Sequence, residues 1–203
     1  MGRDAILDAA GALFLQRGYP KTTIAAIAER AHVGVATVFR HFKSKEGVLA
    51  ALSQRDIDKI LADAAAAIVT APADPAQGIM LLLSAVLRMH LMPSTRIRGQ
   101  TRLWLLIPTG HPETDEVVTS SDRELQAMIQ DLLLRYRSRG RLIEDIDLPD
   151  ATITIFAVFY HHYLLIALNR SVRISDVERQ LERRIALLFR PWNPPPHRRT
   201  RGR

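Results

Sequence analysis

Apolar residues recur at intervals of three and four along almost the whole of this 203-residue chain, and that interval is the period of an α-helix. Over residues 3–17, Ile6, Leu13 and Phe14 share one face, and Gly18 follows as a helix-ending glycine. The period returns in five further segments, at residues 44–69, 76–92, 93–107, 114–138 and 174–190. The sequence therefore predicts an all-α fold.

Residues 151–168 (ATITIFAVFYHHYLLIAL) are apolar nearly all round and begin with β-branched residues, which favour a β-strand. Eighteen residues are too many for a typical strand, so we expect a buried helix. The segment is also too short for a membrane span and is interrupted by His161 and His162. We expect no membrane association.

The amino-acid composition and the absence of certain motifs exclude several classes of function. The chain is 47% hydrophobic and 24% charged, as in ordinary soluble globular proteins. It has no cysteine, which excludes disulfides, thiolate nucleophiles and cysteine zinc sites. Neither a GxSxG nor a Walker sequence is present, so we expect no enzyme and no cofactor. The N-terminus lacks the pattern of a secretory signal, and we expect a cytoplasmic protein.

The net charge of +7 is concentrated at the two ends of the chain. Residues 1–52 carry seven basic against four acidic side chains, and residues 190–203 carry five arginines and no acid. The intervening body is close to neutral. This distribution is typical of a protein that presents one end to a polyanion, although solvated charges that aid solubility remain an alternative.

Two short helical segments, residues 23–31 and 34–41, are joined by the tight turn "HVG". Such a pair indicates a helix-turn-helix, whose second helix enters the major groove of DNA. Val38 and Phe42 are expected to face inward. The outward residues are small, polar or methyl-bearing, as base reading requires: Val35, Ala36, Thr37, Arg40 and His41. Thr22, Thr23 and Lys45 are placed to contact phosphates.

The stretch "TTIAAIAERAHVGVATVFRHFKSKEGVL" (22–49) resembles the DNA-binding signature of the TetR family of transcriptional repressors. The similarity covers about the first quarter of the chain. Matching positions are Thr23, Ile27, Ala28, Ala31, Val33, Thr37, Phe42, Lys43, Ser44, Lys45, Glu46 and Leu49.

Three positions depart from that signature. His32 stands where the family usually has glycine in the turn, so a left-handed backbone there would be strained. Gly34 replaces the usual serine cap, at a cost of only a few tenths of a kcal/mol. Phe39 replaces the usual tyrosine and removes a hydroxyl that family members place on a phosphate, although we retain Phe39 in the DNA-binding set.

The resemblance implies three regions: a DNA-binding domain over residues 1–48, a ligand-binding and dimerisation domain over 49–190, and a tail over 191–203. We expect the tail, which is rich in proline and arginine, to be disordered. It also implies a pocket for a hydrophobic effector. Candidate lining residues are Met89, Met92, Trp104, Phe159 and Tyr163.

A two-turn recognition helix reads few base pairs, so we expect a homodimer on a palindromic operator of double-stranded DNA. The half-sites would be about 34 to 36 Å apart. The expected dimer face is a four-helix bundle. Its residues are predicted as Ile155, His162, Ile166, Val177, Leu181, Ile185 and Leu188.

The sequence also bears on two other interpretations, a metal site and a protein adaptor. A metal site is disfavoured because no pair among His90, His111, His161 and His162 has the i, i+4 spacing of a chelating helix face. An adaptor that uses the helix-turn-helix for protein contact remains open as an alternative.

Overall fold

The computed structural model describes residues 2–88, 112–169 and 171–194, with the side chains of 88, 112–118 and 167–168 excepted. Within these ranges every regular element is an α-helix, which confirms the predicted fold class. The helices are α1 (Gly2–Arg17), α2 (Ile24–Arg30), α3 (Val35–Phe42), α4 (Lys45–Ala67), α5 (Pro75–Arg88), α6 (Pro112–Ser138), α7 (Leu148–Leu168) and α8 (Ile174–Phe189).

Side-chain caps begin four of these helices, and at α5 the Gln77 N–H donates a hydrogen bond to Asp74 Oδ1 at 2.9 Å. Thr23 Oγ1 accepts a hydrogen bond from the Ala26 N–H at 3.2 Å, and Ser44 Oγ accepts one from the Gly47 N–H at 2.9 Å. Both caps confirm the predicted starts. Asp147 caps α7 in the same way, so that helix begins three residues before the predicted start at residue 151.

The first four helices enclose a small N-terminal core. The inward residues of α1 pack on α2 and α3, and Val38 and Phe42 are buried as predicted. The first two turns of α4 complete this core with Val48, Leu49 and Leu52. The helix-turn-helix formed by α2 and α3 is therefore held in place by α1 and by the start of α4.

A second core begins farther along α4, at Ile60, Leu61 and Ala64. There α4 packs against α5 and α6, α6 packs against α7, and α8 packs against both α5 and α7. Because α4 runs without a break from the first core into the second, it physically links the two.

The packing of α5 against α6 depends on Gly78. A Cβ atom at that position would lie 1.8 Å from Tyr136 Oη, far inside van der Waals contact. The same hydroxyl donates a hydrogen bond to the Pro72 carbonyl oxygen at 2.7 Å. Tyr136 thus fixes the turn between α4 and α5 to α6.

Most of the predicted dimer face is wrong. The apolar stripes of α7 and α8 face inward and supply the core of their own chain, so a partner cannot reach them. Ile155, His162, Ile166, Val177, Leu181 and Ile185 are all buried within the chain, and only Leu188 is half-buried.

The prediction that disorder begins at residue 191 is also wrong, because the structure describes residues 191–194 and Trp192 packs against the body. The Trp192 ring packs edge-on against the Phe189 ring, with centroids 5.2 Å apart. The backbone carbonyl oxygen of Trp192 accepts a hydrogen bond from the Ile143 N–H at 2.9 Å. Residues 195–203 lie outside the described part of the chain. Among the described helices, none is long and apolar enough to cross a membrane.

Candidate nucleic-acid interface

A tight turn sets α3 against α2. The Val33 N–H donates to the Ala28 carbonyl oxygen at 3.0 Å, and the His32 N–H donates to the Glu29 carbonyl oxygen at 3.1 Å. His32 has a φ of 54°, which is a left-handed backbone conformation and therefore strained for a residue other than glycine. Gly34 precedes α3 and makes no side-chain cap, as its sequence implies.

Helix α3, the recognition helix, buries one face and exposes the rest. Residues four apart lie on the same side of an α-helix, so its outward surface divides into three rows. The rows are Val35 with Phe39, Ala36 with Arg40, and Thr37 with His41. All of these side chains are exposed except that of Thr37, which is half-exposed.

The first of these rows is apolar and open to solvent. Val35 is 43% exposed and Phe39 is 48% exposed, although neither has polar atoms that would favour contact with water. Their outward placement agrees with their assignment to the DNA-binding set.

Thr22 does not take part in the interface as predicted. Its side chain is buried, and its hydroxyl donates to the Gly18 carbonyl oxygen at 2.8 Å. This hydrogen bond closes the turn between α1 and α2 and leaves the group out of reach of a phosphate. Thr23 is exposed and caps α2, as described above.

Lys45, which is predicted to contact a phosphate, is half-exposed and also makes contacts within the domain. Its Nζ donates to the carbonyl oxygens of Tyr19 and Thr22, both at 3.1 Å, and lies 4.3 Å from the centre of the Tyr19 ring. Tyr19 Oη in turn donates to Glu46 Oε1 at 2.7 Å. Burial, together with the Glu46 carboxylate, raises the pKa of Tyr19. This geometry assigns Lys45 to holding the turn between α1 and α2.

An open groove of about 360 Å³ lies beside the end of α3, between the start of α1 and the start of α4. Arg3, His41, Lys43 and Gln54 line it. The Arg3 guanidinium lies 5.5 Å from the centre of the Phe42 ring. Sequence reasoning did not select Arg3 or Gln54 because tertiary packing alone brings them to α3. The only feature of the sequence that could have pointed to Arg3 was the excess of basic residues among the first 52.

The predicted effector residues are only partly described. Met89, Met92 and Trp104 lie outside the described residues. Phe159 is buried in the second core, and Tyr163 is half-buried with its ring centroid 6.1 Å from that of Phe159. Within the described residues, no group of three potential ligands could hold a metal ion.

Comparison with known proteins places this geometry in context. The sequence profile described as "Bacterial regulatory proteins, tetR family" matches residues 6–52, which are α1–α3 and the start of α4. The chain is 53% identical over 47 residues to the HTH-type transcriptional regulator YvkB of Bacillus subtilis. That match covers 23% of this chain and only 25% of YvkB.

Two longer matches extend beyond the N-terminal domain. The HTH-type transcriptional repressor KstR of Mycobacterium tuberculosis is 25% identical over 187 residues, which cover 92% of this chain and 80% of KstR. A solved TetR/AcrR-family regulator from Thermobifida fusca superposes with a TM-score of 0.69 at 26% identity, covering 95% of this chain and 98% of that one. With its exposed recognition helix on a helix-turn-helix, the N-terminal region over residues 6–52 matches the TetR family of transcriptional regulators, and the chain as a whole is similar to regulators of that family.

Proposed function

We propose that the protein is a repressor that binds a palindromic operator as a homodimer and leaves it when a hydrophobic small molecule binds the body. The outward surface of α3 is the observation that carries this proposal. Its exposed side chains project from a helix whose opposite face is fully packed, which is the arrangement that major-groove reading requires.

The dimer face must use side chains that the chain's own core leaves free. Ile153 and Ala157 are exposed and lie four residues apart, so they share the outer side of α7. Ile153 is 59% exposed, and Leu187 on the neighbouring α8 is 53% exposed. These residues support a helical bundle between two copies of α7 and α8, with a different set of residues from the one predicted from sequence. Regulators of this family are typically homodimers.

An effector site in the body is supported by aromatic side chains on α7. The rings of Phe156 and Tyr160 stack with centroids 5.8 Å apart, and those of Tyr160 and Tyr163 stack at 6.0 Å. Flat apolar surfaces of this kind suit a mid-sized hydrophobic molecule. Ligand binding is typical of the family.

Helix α4 supplies the route from effector to operator. Its first turns belong to the core of the DNA-binding domain, and its later turns belong to the core of the body. A ligand that favours one packing of the body would change the tilt of α4 and thus the separation of the two recognition helices. It would release DNA only to the extent that it binds the DNA-incompetent form more tightly.

The experiment is selection of genomic fragments by the purified full-length protein, followed by titration against salt. We expect retained duplexes to contain two inverted half-sites, with an affinity that falls steeply as salt rises. Compounds that raise the melting temperature are then tested for operator release. If no DNA is retained at low salt, the adaptor alternative is supported and the proposal is wrong.

A further inference from the structure

The first turn of the recognition helix presents almost no hydrogen-bonding groups. Val35 and Ala36 carry only hydrocarbon, and Thr37 carries a methyl group beside its hydroxyl. In a helix-turn-helix, the N-terminal residues of the recognition helix are those that approach base edges most closely. The strong donors of this helix, Arg40 and His41, stand one turn later.

Apolar side chains can distinguish one base from another in the major groove only where a base presents an apolar group. Among the four bases of unmodified DNA, that group is the C5-methyl of thymine. Valine, alanine and phenylalanine cannot read the donors and acceptors of the other base edges. Apart from the Thr37 hydroxyl, a first turn built in this way does not read the hydrogen-bonding pattern of the bases and responds to the methyl group.

We propose that α3 recognises C5-methylpyrimidines, with Val35 and Ala36 in the first turn and Phe39 in the second packing on the methyl groups. Each half-site then carries thymines at the positions these residues face. This inference rests on the proposed DNA-binding function and specifies what the same surface reads.

The structure around the first turn supports close approach. Gly34 precedes the helix without a side chain, and no side-chain cap covers the amide end of α3. The exposed fractions of Val35 and Phe39, 43% and 48%, leave hydrocarbon to be covered by a ligand. Contact with thymine methyl groups would cover this hydrocarbon without burying a polar group that lacks a hydrogen-bond partner.

The test begins with a duplex selected by the full-length protein and replaces each thymine of a half-site singly by deoxyuridine, which lacks only the methyl group. We expect about a fourfold loss of affinity at each contacted thymine, the factor that corresponds to burying one methyl-sized group. At the same positions, 5-methylcytosine paired with guanine should bind more tightly than cytosine, because it restores the methyl group.

A variant cycle assigns the contacts to residues. Val35→Ala should reduce the deoxyuridine effect at its thymine to less than about twofold, because the partner of the methyl group is gone. Leu15→Ala is the matched control, since Leu15 is also 43% exposed but lies on α1. It should leave the deoxyuridine effect unchanged. Thermal melting confirms that both variants are folded.

The possible results distinguish failure of methyl reading from failure of the proposed DNA-binding function. A protein that selects a duplex but binds every deoxyuridine version within about twofold of the parent contradicts methyl reading and leaves the regulator function intact. A deoxyuridine effect that persists fully in both Val35→Ala and Phe39→Ala variants also contradicts it. A protein that selects no duplex overturns the proposed function itself, and methyl reading with it.

Discussion

The ammonium group of Lys45 lies over the ring of Tyr19 and donates to the backbone at both Tyr19 and Thr22, which joins the start of α4 to the turn before α2. The Tyr19 hydroxyl returns to Glu46, the next residue of α4. These contacts tie the start of α4 to the base of the helix-turn-helix. We infer that this cluster, more than a phosphate contact, explains the lysine at position 45.

Replacing Lys45 by methionine should lower the free energy of unfolding by about 2 kcal/mol, because two carbonyl oxygens lose a charged donor. The salt dependence of DNA binding should keep its slope. Urea denaturation and salt titrations measure the two effects. Lys21→Met is the control, since Lys21 is exposed and its loss should change stability by less than about 0.5 kcal/mol. Unchanged stability with a slope reduced by about one ion would restore the phosphate role.

Replacing His32 by glycine should stabilise the protein by up to about 1 kcal/mol. The left-handed backbone at φ 54° is strained for histidine and free of strain for glycine, although glycine also raises the entropy of the unfolded chain. The opposite change, Gly140→Ala at φ 65°, should destabilise by about 1 kcal/mol, because nothing lies near the new Cβ and only the backbone is strained. Denaturant midpoints compare both. A destabilised His32→Gly variant would contradict the strain argument.

Stability should fall as pH drops below about 6.5 because of His162. Nδ1 donates to the Val158 carbonyl oxygen at 2.6 Å, so Nε2 accepts from the Arg184 guanidinium at 2.7 Å and the ring is neutral. Burial lowers the pKa of His162 from its ordinary 6.5, aided by the charge of Arg184. The unfolded chain takes up the proton first, so acid favours unfolding.

Urea denaturation at pH 7.5 and 5.5 measures this effect. His162→Gln should reduce the difference in unfolding free energy between the two pH values, whereas His161→Gln, at an exposed neighbouring position, should retain it. An equal pH dependence in both variants would show that His162 does not contribute.

The dimer face can be separated from the core by matched charged substitutions on α8. Leu187→Glu places a charge on an exposed site and should yield a folded monomer. Leu181→Glu buries an unpaired charge and should unfold the chain. Sedimentation and circular dichroism distinguish these states. Ile153→Glu tests the exposed side of α7 in the same way. If both the Leu187→Glu and the Ile153→Glu proteins remain fully dimeric, the proposed dimer face is excluded.

Local signals in the sequence predicted much of the DNA-binding domain. The helix starts near residues 23 and 44, which Thr23 and Ser44 cap, and the inward placement of Val38 and Phe42 depend on interactions within a few turns. The sequence predicted these starts and both inward residues. The dimer stripe was misassigned because periodicity shows that a helix face is buried without showing what buries it. The roles of Lys45 and Arg3 depend on contacts between residues far apart in the chain, which no local pattern encodes.

The most direct test of the account is the ratio of dissociation constants for a scrambled duplex and the selected operator, measured by fluorescence anisotropy at one fixed salt concentration. The wild-type protein should prefer the operator by at least about 10³-fold. Arg40→Ala should reduce that ratio by about 10-fold to 100-fold, as expected for a lost base contact, and leave binding to the scrambled duplex nearly unchanged. A wild-type ratio near one, or an Arg40→Ala variant that loses affinity equally for both duplexes, would contradict sequence reading by α3.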